Sequence, residues 1–117
     1  MLQLPAQVRI LVAIKPLDFR KGVDSIAAYC KYQLQQDPYC GVVYAFRNKS
    51  GTAVKIFSFD GCGIYLVIRR FSRGKLAWWP NSIDQGLQPL AAQQLAVILA
   101  QGNPRHAAFP EDWRKIG

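Results

Sequence analysis

The sequence predicts a single α+β domain, in which two helices pack on one face of an antiparallel meander sheet. Three observations favour this fold. The chain has 117 residues, half of them apolar, which is enough for one core but not for two. One-sided apolar stripes predict two helices, and short turns between apolar runs predict a set of strands. The predicted order is β-α-β-β-β-β-α over residues 1–102, followed by an irregular tail over 103–117.

The first two predicted elements are a buried strand and a long helix. Val8 to Ile14 is apolar apart from Arg9, which is typical of a central strand. Asp18 is the expected N-cap of the helix, because its carboxylate can accept hydrogen bonds from the next turn. The helix should extend to about Gln36 and bury a stripe formed by Phe19, Val23, Ile26, Ala27, Cys30 and Leu34.

Short turns between apolar runs predict the meander. Its four strands are expected at Val42 to Arg47, Ala53 to Phe59, Ile64 to Arg70 and Leu76 to Trp79. The pair Asp60-Gly61 is typical of the two central positions of a tight hairpin, which require positive φ. Pro80 should end the last strand and place it at an edge of the sheet.

The second predicted helix follows a polar connector over 81–88. It should begin at about Pro89 and end near Gln101, since proline suits a first helical turn and Gly102 suits a C-terminal cap. Its buried face is expected to carry Ala91, Leu95, Ile98 and Leu99. In the tail, Phe109 and Trp113 are candidate docking anchors.

Charge is the strongest functional signal in the sequence. The chain has 15 Lys and Arg against 7 Asp and Glu, a net charge of +8, which favours polyanionic partners: nucleic acid first, an acidic membrane or protein second. Between positions 47 and 75, Asp60 is the single acidic residue. The same stretch holds the candidate nucleic-acid-binding residues Arg47, Lys49, Lys55, Arg69, Arg70, Arg73 and Lys75.

Aromatic residues accompany these bases. Lys and Arg bind phosphates and aromatic rings stack on bases, so a basic sheet that carries rings is one way to hold nucleic acid. The rings in question are Phe57, Phe59, Tyr65, Phe71, Trp78 and Trp79. The alternative, that Phe57, Phe59 and Tyr65 are mainly structural and that strand lysines only protect an edge, stays open.

Arg20 and Lys21 form a second candidate site. Two bases just inside a helix N-terminus are unfavourable for the helix dipole unless an anion binds there, and free N–H groups at such an end can bind a phosphate. Solvated charges beside a capping Asp18 are the alternative reading.

Other classes of function receive little support. No catalytic triad, phosphate loop or carboxylate cluster is visible, so neither an enzyme nor a cofactor is expected. A zinc site would need all three cysteines and His106 without chelating spacing; reduced, buried thiols at Cys30, Cys40 and Cys62 are the simpler expectation. Apolar runs reach six residues, far from the roughly 18 of a membrane span, and no signal peptide is visible, so we expect a cytoplasmic protein.

Several short motifs follow one another along the chain. The first is the run Asp-Phe-Arg-Lys-Gly-Val-Asp over 18–24, and the second is the stretch 41–46 that leads into Arg47. The later motifs are Lys55 with Asp60, Gly61 and Gly63, then Arg69-Arg70, Arg73-Gly74, Trp79-Pro80, and finally Leu90, Gln94, Leu95, Leu99 and Gly102.

Together these motifs resemble the small second-reading-frame protein of bacterial insertion sequence 66 elements, also called transposon protein B or the orf-two-like protein. The resemblance covers residues 1–102. It departs at Arg69, where the family usually has lysine, and over 76–78, where the family usually has an aromatic-centred strand. It implies an accessory protein encoded beside a separate, larger transposase, and it supplies no catalytic or ligand residues.

The leading hypothesis is therefore a non-catalytic, DNA-binding accessory factor in transposition. Its expected partners are DNA, at the ends of the insertion element, and the transposase of the same element, without a membrane and with self-association left open. A protein–protein adapter of the transposase without direct DNA contact is the main alternative. A metal-dependent nuclease is the third.

Overall fold

Five strands and two helices make up the part of the chain that the structure, a computed structural model, describes: residues 8–81 and 86–105. The elements are β1 (Ile10–Ala13), α1 (Val23–Tyr32), β2 (Val43–Arg47), β3 (Ala53–Phe59), β4 (Ile64–Arg70), β5 (Leu87–Leu90) and α2 (Ala92–Leu99). The expectations for His106, Phe109 and Trp113 lie outside the described residues.

The five strands form one mixed sheet in the order β4-β3-β2-β1-β5. The meander of β2, β3 and β4 is antiparallel, as the sequence predicts. β1, however, pairs with β2 in parallel, with Ile10 opposite Val43, because α1 carries the chain across the sheet between them. The prediction of a purely antiparallel sheet is therefore wrong.

The two helices lie on opposite faces of the sheet, so the prediction that both cover one face is also wrong. Ile26 and Cys30 of α1 pack in one buried cluster with Tyr44 and Phe46. Leu95 of α2 packs in a second cluster with alternate strand residues, among them Val12, Val43, Ala45, Val54 and Ile56. All four residues of β1 are buried. A central strand that is apolar on both faces requires cover on both sides.

The fourth meander strand is absent from its predicted position. Residues 76–79 form an irregular segment, and the strand at the far edge of the sheet is β5, which pairs with β1. Pro89, predicted to open the second helix, lies in β5 opposite Leu11. Proline is tolerated there because an edge strand need not donate every N–H to a neighbour.

The first helix is shorter than predicted, although its buried stripe is confirmed. It begins at Val23 with Gly22 as N-cap, so Asp18 is not the N-cap. Ile26, Ala27 and Cys30 are buried. The half-buried residues that pack against the same cluster include Phe19, Val23 and Leu34.

The second helix has a different cap at each end from the predicted ones. At its start, the backbone N–H of Ala91 donates to the side chain of Gln94 at 2.8 Å, and Ala91 itself is exposed. At its end, Gln101 takes the positive φ of 63°. Gly102 instead approaches Val97 closely: a Cβ on Gly102 would lie 2.8 Å from the Val97 side chain.

The turn of the hairpin between β3 and β4 lies one residue later than predicted. The N–H of Asp60 donates to the carbonyl of Gly63 at 3.1 Å, so Gly61 and Cys62 are the central residues. The Asp60 carboxylate accepts the N–H groups of Cys62 and Gly63, both at 2.9 Å. Neither of the two helices in the described residues is long and apolar enough to cross a membrane.

Candidate nucleic-acid interface

One end of the sheet collects most of the predicted basic residues. β2 ends there, β3 begins there and β4 ends there, because the three strands are antiparallel. Arg47 and Arg69 both pair with Val54, one from each side, and Arg70 pairs with Ala53. We call this region the basic end and define it by Arg47, Lys49, Arg69, Arg70, Arg73 and Lys75. Arg47 is half-buried and the other five are exposed.

The acidic residue of the meander lies far from these bases. Asp60 is in the hairpin that follows Phe59, at the opposite end of β3. Among the residues that the structure describes, the single ion pair joins Arg20 to Asp18. The six bases of the basic end therefore have no carboxylate partner within the described chain.

The segment 71–81 runs beside the turn 48–51 and is fastened to it by the backbone. The N–H of Phe71 donates to the carbonyl of Thr52 at 3.0 Å, and the N–H of Leu76 donates to the carbonyl of Gly51 at 2.8 Å. Gly51 has a φ of 71°, which explains glycine at this tight position.

Side chains hold the same segment from two further directions. The indole Nε1–H of Trp79 donates to the carbonyl of Ala13 at 2.8 Å. The side-chain amide of Gln101, just beyond α2, donates to the carbonyls of Arg73 at 2.7 Å and Lys75 at 3.1 Å. The segment is thus fixed at both ends, although it has no regular secondary structure.

A cavity of about 410 Å³ lies between the turn and the segment. We call it the tryptophan pocket. Three bases and two indole rings contribute to its wall, and none of its lining residues is acidic. The lining consists of Ile14, Arg47, Lys49, Ser50, Gly51, Lys75, Leu76, Ala77, Trp78, Trp79, Pro80 and Asn81.

Arg47 is incompletely satisfied at the wall of this pocket. Its two terminal nitrogens reach the carbonyls of Asn48 and Ile14 at 3.5 Å each, which is long for such a bond. Its Nε is buried and has no hydrogen-bond partner among the described residues. Buried polar atoms are normally paired, so Arg47 Nε is an exception within the described chain, and the two terminal nitrogens are held only by long contacts.

The two tryptophans of the pocket differ in role. Trp79 packs against the cluster on the α2 side of the sheet, and its indole N–H donates to the carbonyl of Ala13. Trp78 is half-buried and lines the pocket, but it is not part of either buried cluster. Trp78 therefore has no packing role in either described cluster.

Lys55 is separate from the basic end. It is only 4% exposed, and its ammonium donates to the carbonyls of Phe19 at 2.7 Å and Lys21 at 3.0 Å. The ammonium also lies 4.9 Å from the centre of the Phe19 ring, and burial lowers the pKa of Lys55. We therefore leave Lys55 out of the proposed binding surface and assign it to the loop that precedes α1.

Arg20 and Lys21 also stand apart from the basic end. Arg20 is paired with Asp18 through contacts of 2.8 to 3.2 Å, and these hydrogen bonds lower the pKa of Asp18 to about 2. Lys21 lines a different cavity, beside Tyr29 and Tyr32 of α1. The structure thus gives Arg20 a carboxylate partner, and it places neither base in the tryptophan pocket.

The aromatic residues of the strands divide between the core and the surface. Phe57 is fully buried. Phe59 makes an edge-to-face contact with Tyr39 at 5.4 Å. Tyr65 is 50% exposed and belongs to neither buried cluster, whereas Phe71 packs against the α2-side cluster. The structural reading therefore suits Phe57, while Tyr65 is a surface ring.

The three cysteines are free thiols. Cys30 is buried, but Cys40 and Cys62 are exposed, so the expectation of three buried thiols is wrong for two of them. Both lie in loops, where the chain has no core to enter. Among the described residues, no three His, Cys, Asp or Glu side chains come together in a group that would hold a metal ion.

Comparison with known proteins decides the family. The family pattern described as "IS66 Orf2 like protein" matches residues 8–108. The chain belongs to this family. An uncharacterized protein of Sinorhizobium fredii, y4hO, is 32% identical over the whole of both chains. A second uncharacterized protein of this organism, y4jC, is 30% identical over 80% of this chain and 78% of its own length. No solved structure is significantly similar.

The family match confirms the resemblance inferred from the motifs. Membership in the IS66 Orf2-like family indicates an accessory role related to transposition, in a family that is not a known catalytic transposase. Several family motif residues also fall on the candidate interface: Arg69, Arg70 and Arg73 belong to the basic end, and Trp79 and Pro80 line the tryptophan pocket.

Proposed function

We propose that this IS66 Orf2-like protein is a non-catalytic accessory factor that binds DNA through the basic end and acts beside a separate transposase. The observation that carries the proposal is the gathering of six bases at one end of the sheet, without a carboxylate partner among the described residues. Unpaired surface bases attract phosphate, and they repel one another unless an anion lies between them.

The placement of these bases on rigid elements supports the same function. Arg69 and Arg70 end β4, and Arg47 ends β2. The carbonyls of Arg73 and Lys75 are both held by Gln101. Bases on a fixed frame lose less conformational entropy on binding than bases on a loose tail. Phosphate contacts fix position without reading sequence, which suits a factor that acts with another protein.

The test is a titration of labelled duplex DNA at two salt concentrations. We expect Arg70→Ala with Arg73→Ala to weaken binding similarly on element-end and random duplexes, and to reduce the slope of log affinity against log salt by about one unit per lost phosphate contact. Lys31→Ala is the matched control, because Lys31 is an exposed base in the last turn of α1.

An unchanged affinity and an unchanged salt slope in the double variant would refute the proposed surface. The same protein should be tested for association with the transposase of its element. If wild-type protein has negligible affinity for DNA and the double variant loses association with the transposase, the basic end instead docks an acidic surface of that protein, as in the adapter hypothesis.

A further inference from the structure

We infer that the tryptophan pocket binds one unpaired nucleotide of a DNA strand, with the base against Trp78 and the phosphate on Arg47, Lys49 and Lys75. The inference rests on the proposed function, which makes DNA the ligand. It adds that the protein prefers single-stranded DNA to duplex DNA. Four features of the pocket carry it: size, charge, an available ring and an unsatisfied donor.

The size suits a small ligand. Pockets that enclose small molecules usually have volumes of about 300–1,000 Å³, and the tryptophan pocket has about 410 Å³. It is lined on one side by the turn 48–51 and on the other by the segment 75–81. Within a duplex each base is covered by its stacked neighbours, so a base reaches such a pocket only when it is unpaired or flipped out.

The chemistry of the wall matches both halves of a nucleotide. Arg47, Lys49 and Lys75 supply positive charge without an acidic residue among the lining, and phosphate oxygens accept hydrogen bonds from such groups. Trp78 supplies an aromatic face, and stacking on such a face tolerates every base. A purely anionic ligand would make no contact with the ring, and a purely apolar ligand would leave the Lys and Arg side chains without a negatively charged partner.

The unsatisfied donor is a separate observation. Arg47 Nε is buried without a partner in the described chain, and both terminal nitrogens make only 3.5 Å contacts. Meanwhile the pocket is already formed, because Trp79, Leu76 and Gln101 tie its wall to β1, to the turn and to α2. Because the terminal nitrogens of Arg47 make only these long contacts in a preformed pocket that Arg47 lines, they can bind a phosphate oxygen from outside the chain at little cost in reorganisation.

The test follows indole fluorescence as the full chain is titrated with a thymidine oligonucleotide and with a blunt duplex. We expect the single strand to quench fluorescence and to bind more tightly than the duplex. Trp78→Ala should weaken single-strand binding on the order of 10-fold, the usual effect of losing one stacked base, and should leave duplex binding unchanged. Tyr32→Ala is the control, since Tyr32 is an exposed ring on α1.

Two further variants keep the test decisive if Trp78→Ala folds poorly. Trp78→Phe preserves a ring, so single-strand affinity should remain, while the quench should shrink to the part that comes from Trp79, the other indole of the pocket. Lys75→Ala removes an exposed base, so it should weaken single-strand binding and reduce its salt slope. A quench as large in Trp78→Phe as in the wild type, or equal effects of Trp78→Ala on single strand and duplex, would overturn the inference.

The outcomes separate this inference from the proposed function. If Arg70→Ala with Arg73→Ala weakens duplex binding but Trp78→Ala leaves single-strand binding intact, the DNA surface stands and the nucleotide pocket fails. If thymidine monophosphate quenches fluorescence and the oligonucleotide does not, the pocket binds a free nucleotide rather than a strand, and the inference is wrong. If wild-type protein binds neither duplex nor single-stranded DNA, both the proposed function and this inference are wrong.

Discussion

Trp79 and Ala13 are joined by a hydrogen bond of 2.8 Å from the indole Nε1–H to the backbone carbonyl. The bond links the irregular segment 71–81 to the last residue of β1, across 66 positions of sequence. It turns a loop into a fixed wall of the tryptophan pocket.

The first prediction concerns this bond. Trp79→Phe keeps an aromatic ring against the α2-side cluster but removes the donor to Ala13. We expect the free energy of unfolding to fall by about 1–3 kcal/mol, because a carbonyl loses its partner and a smaller ring packs less well. Urea unfolding measures the change. Trp78→Phe is the matched control and should stay within about 0.5 kcal/mol of wild type; equal effects of the two changes would contradict the assigned roles.

The second prediction concerns Lys55, whose ammonium binds the carbonyls of Phe19 and Lys21. Lys55→Met fills a similar volume but carries no donor, so both carbonyls lose their hydrogen bond from the ammonium. We expect a loss of about 1–3 kcal/mol in the free energy of unfolding. In contrast, Lys49→Met alters an exposed side chain and should change stability by less than about 0.5 kcal/mol. A Lys55→Met variant as stable as wild type would show that the ammonium does not hold the loop.

The third prediction concerns the thiols. Burial raises the pKa of Cys30 to about 12, and only the thiolate reacts with alkylating reagents. We expect native protein at pH 8 to modify quickly at Cys40 and Cys62, while Cys30 reacts only after unfolding. Peptide mass spectrometry of the alkylated protein assigns each site. The double variant Cys40→Ser with Cys62→Ser should show no fast phase, and rapid labelling of Cys30 would contradict its burial beneath α1.

The fourth prediction concerns acid. Hydrogen bonds from Arg20 lower the pKa of Asp18 from 3.8 to about 2. A folded pKa below the unfolded one stabilises the protein above pH 3.8, and this contribution is lost as the pH falls through about 2. Arg20→Ala should return the Asp18 carboxyl to a higher pKa, as followed by its carbon chemical shift in an NMR titration. Lys31→Ala should leave the midpoint alone; an unmoved midpoint in Arg20→Ala would show that another group sets it.

The sequence is most informative where a local pattern determines the structure. The strands Ala53–Phe59 and Ile64–Arg70 have the predicted bounds, because each is a run of apolar residues closed by a turn. The buried stripe through Ile26 and Cys30 follows from helical spacing alone. Charge counting also points to the basic end, since antiparallel neighbours bring the ends of successive strands together.

Long-range pairing is what local patterns miss. β5 is short and contains Pro89, so nothing in Leu87–Leu90 alone marks it as a strand; its partner β1 stands about 75 positions earlier in the sequence. The placement of the helices on opposite faces could have been predicted from the sequence, because β1 and most of β2 are apolar on both faces and so need cover on both. The tryptophan pocket could not have been predicted in this way, because its wall is an irregular segment positioned by Trp79, Leu76 and Gln101.

The place of β1 in the sheet has a consequence for synthesis. Of the strands in the described residues, β1 comes first along the chain, yet it lies between β2 and β5 and makes its last pairing with β5, which comes last. A ribosome must therefore release residues 87–90 before the sheet can close, and until then one edge of β1 is open to other chains. Such late, distant pairing slows folding, so a message truncated before β5 should yield an aggregation-prone product rather than a smaller domain.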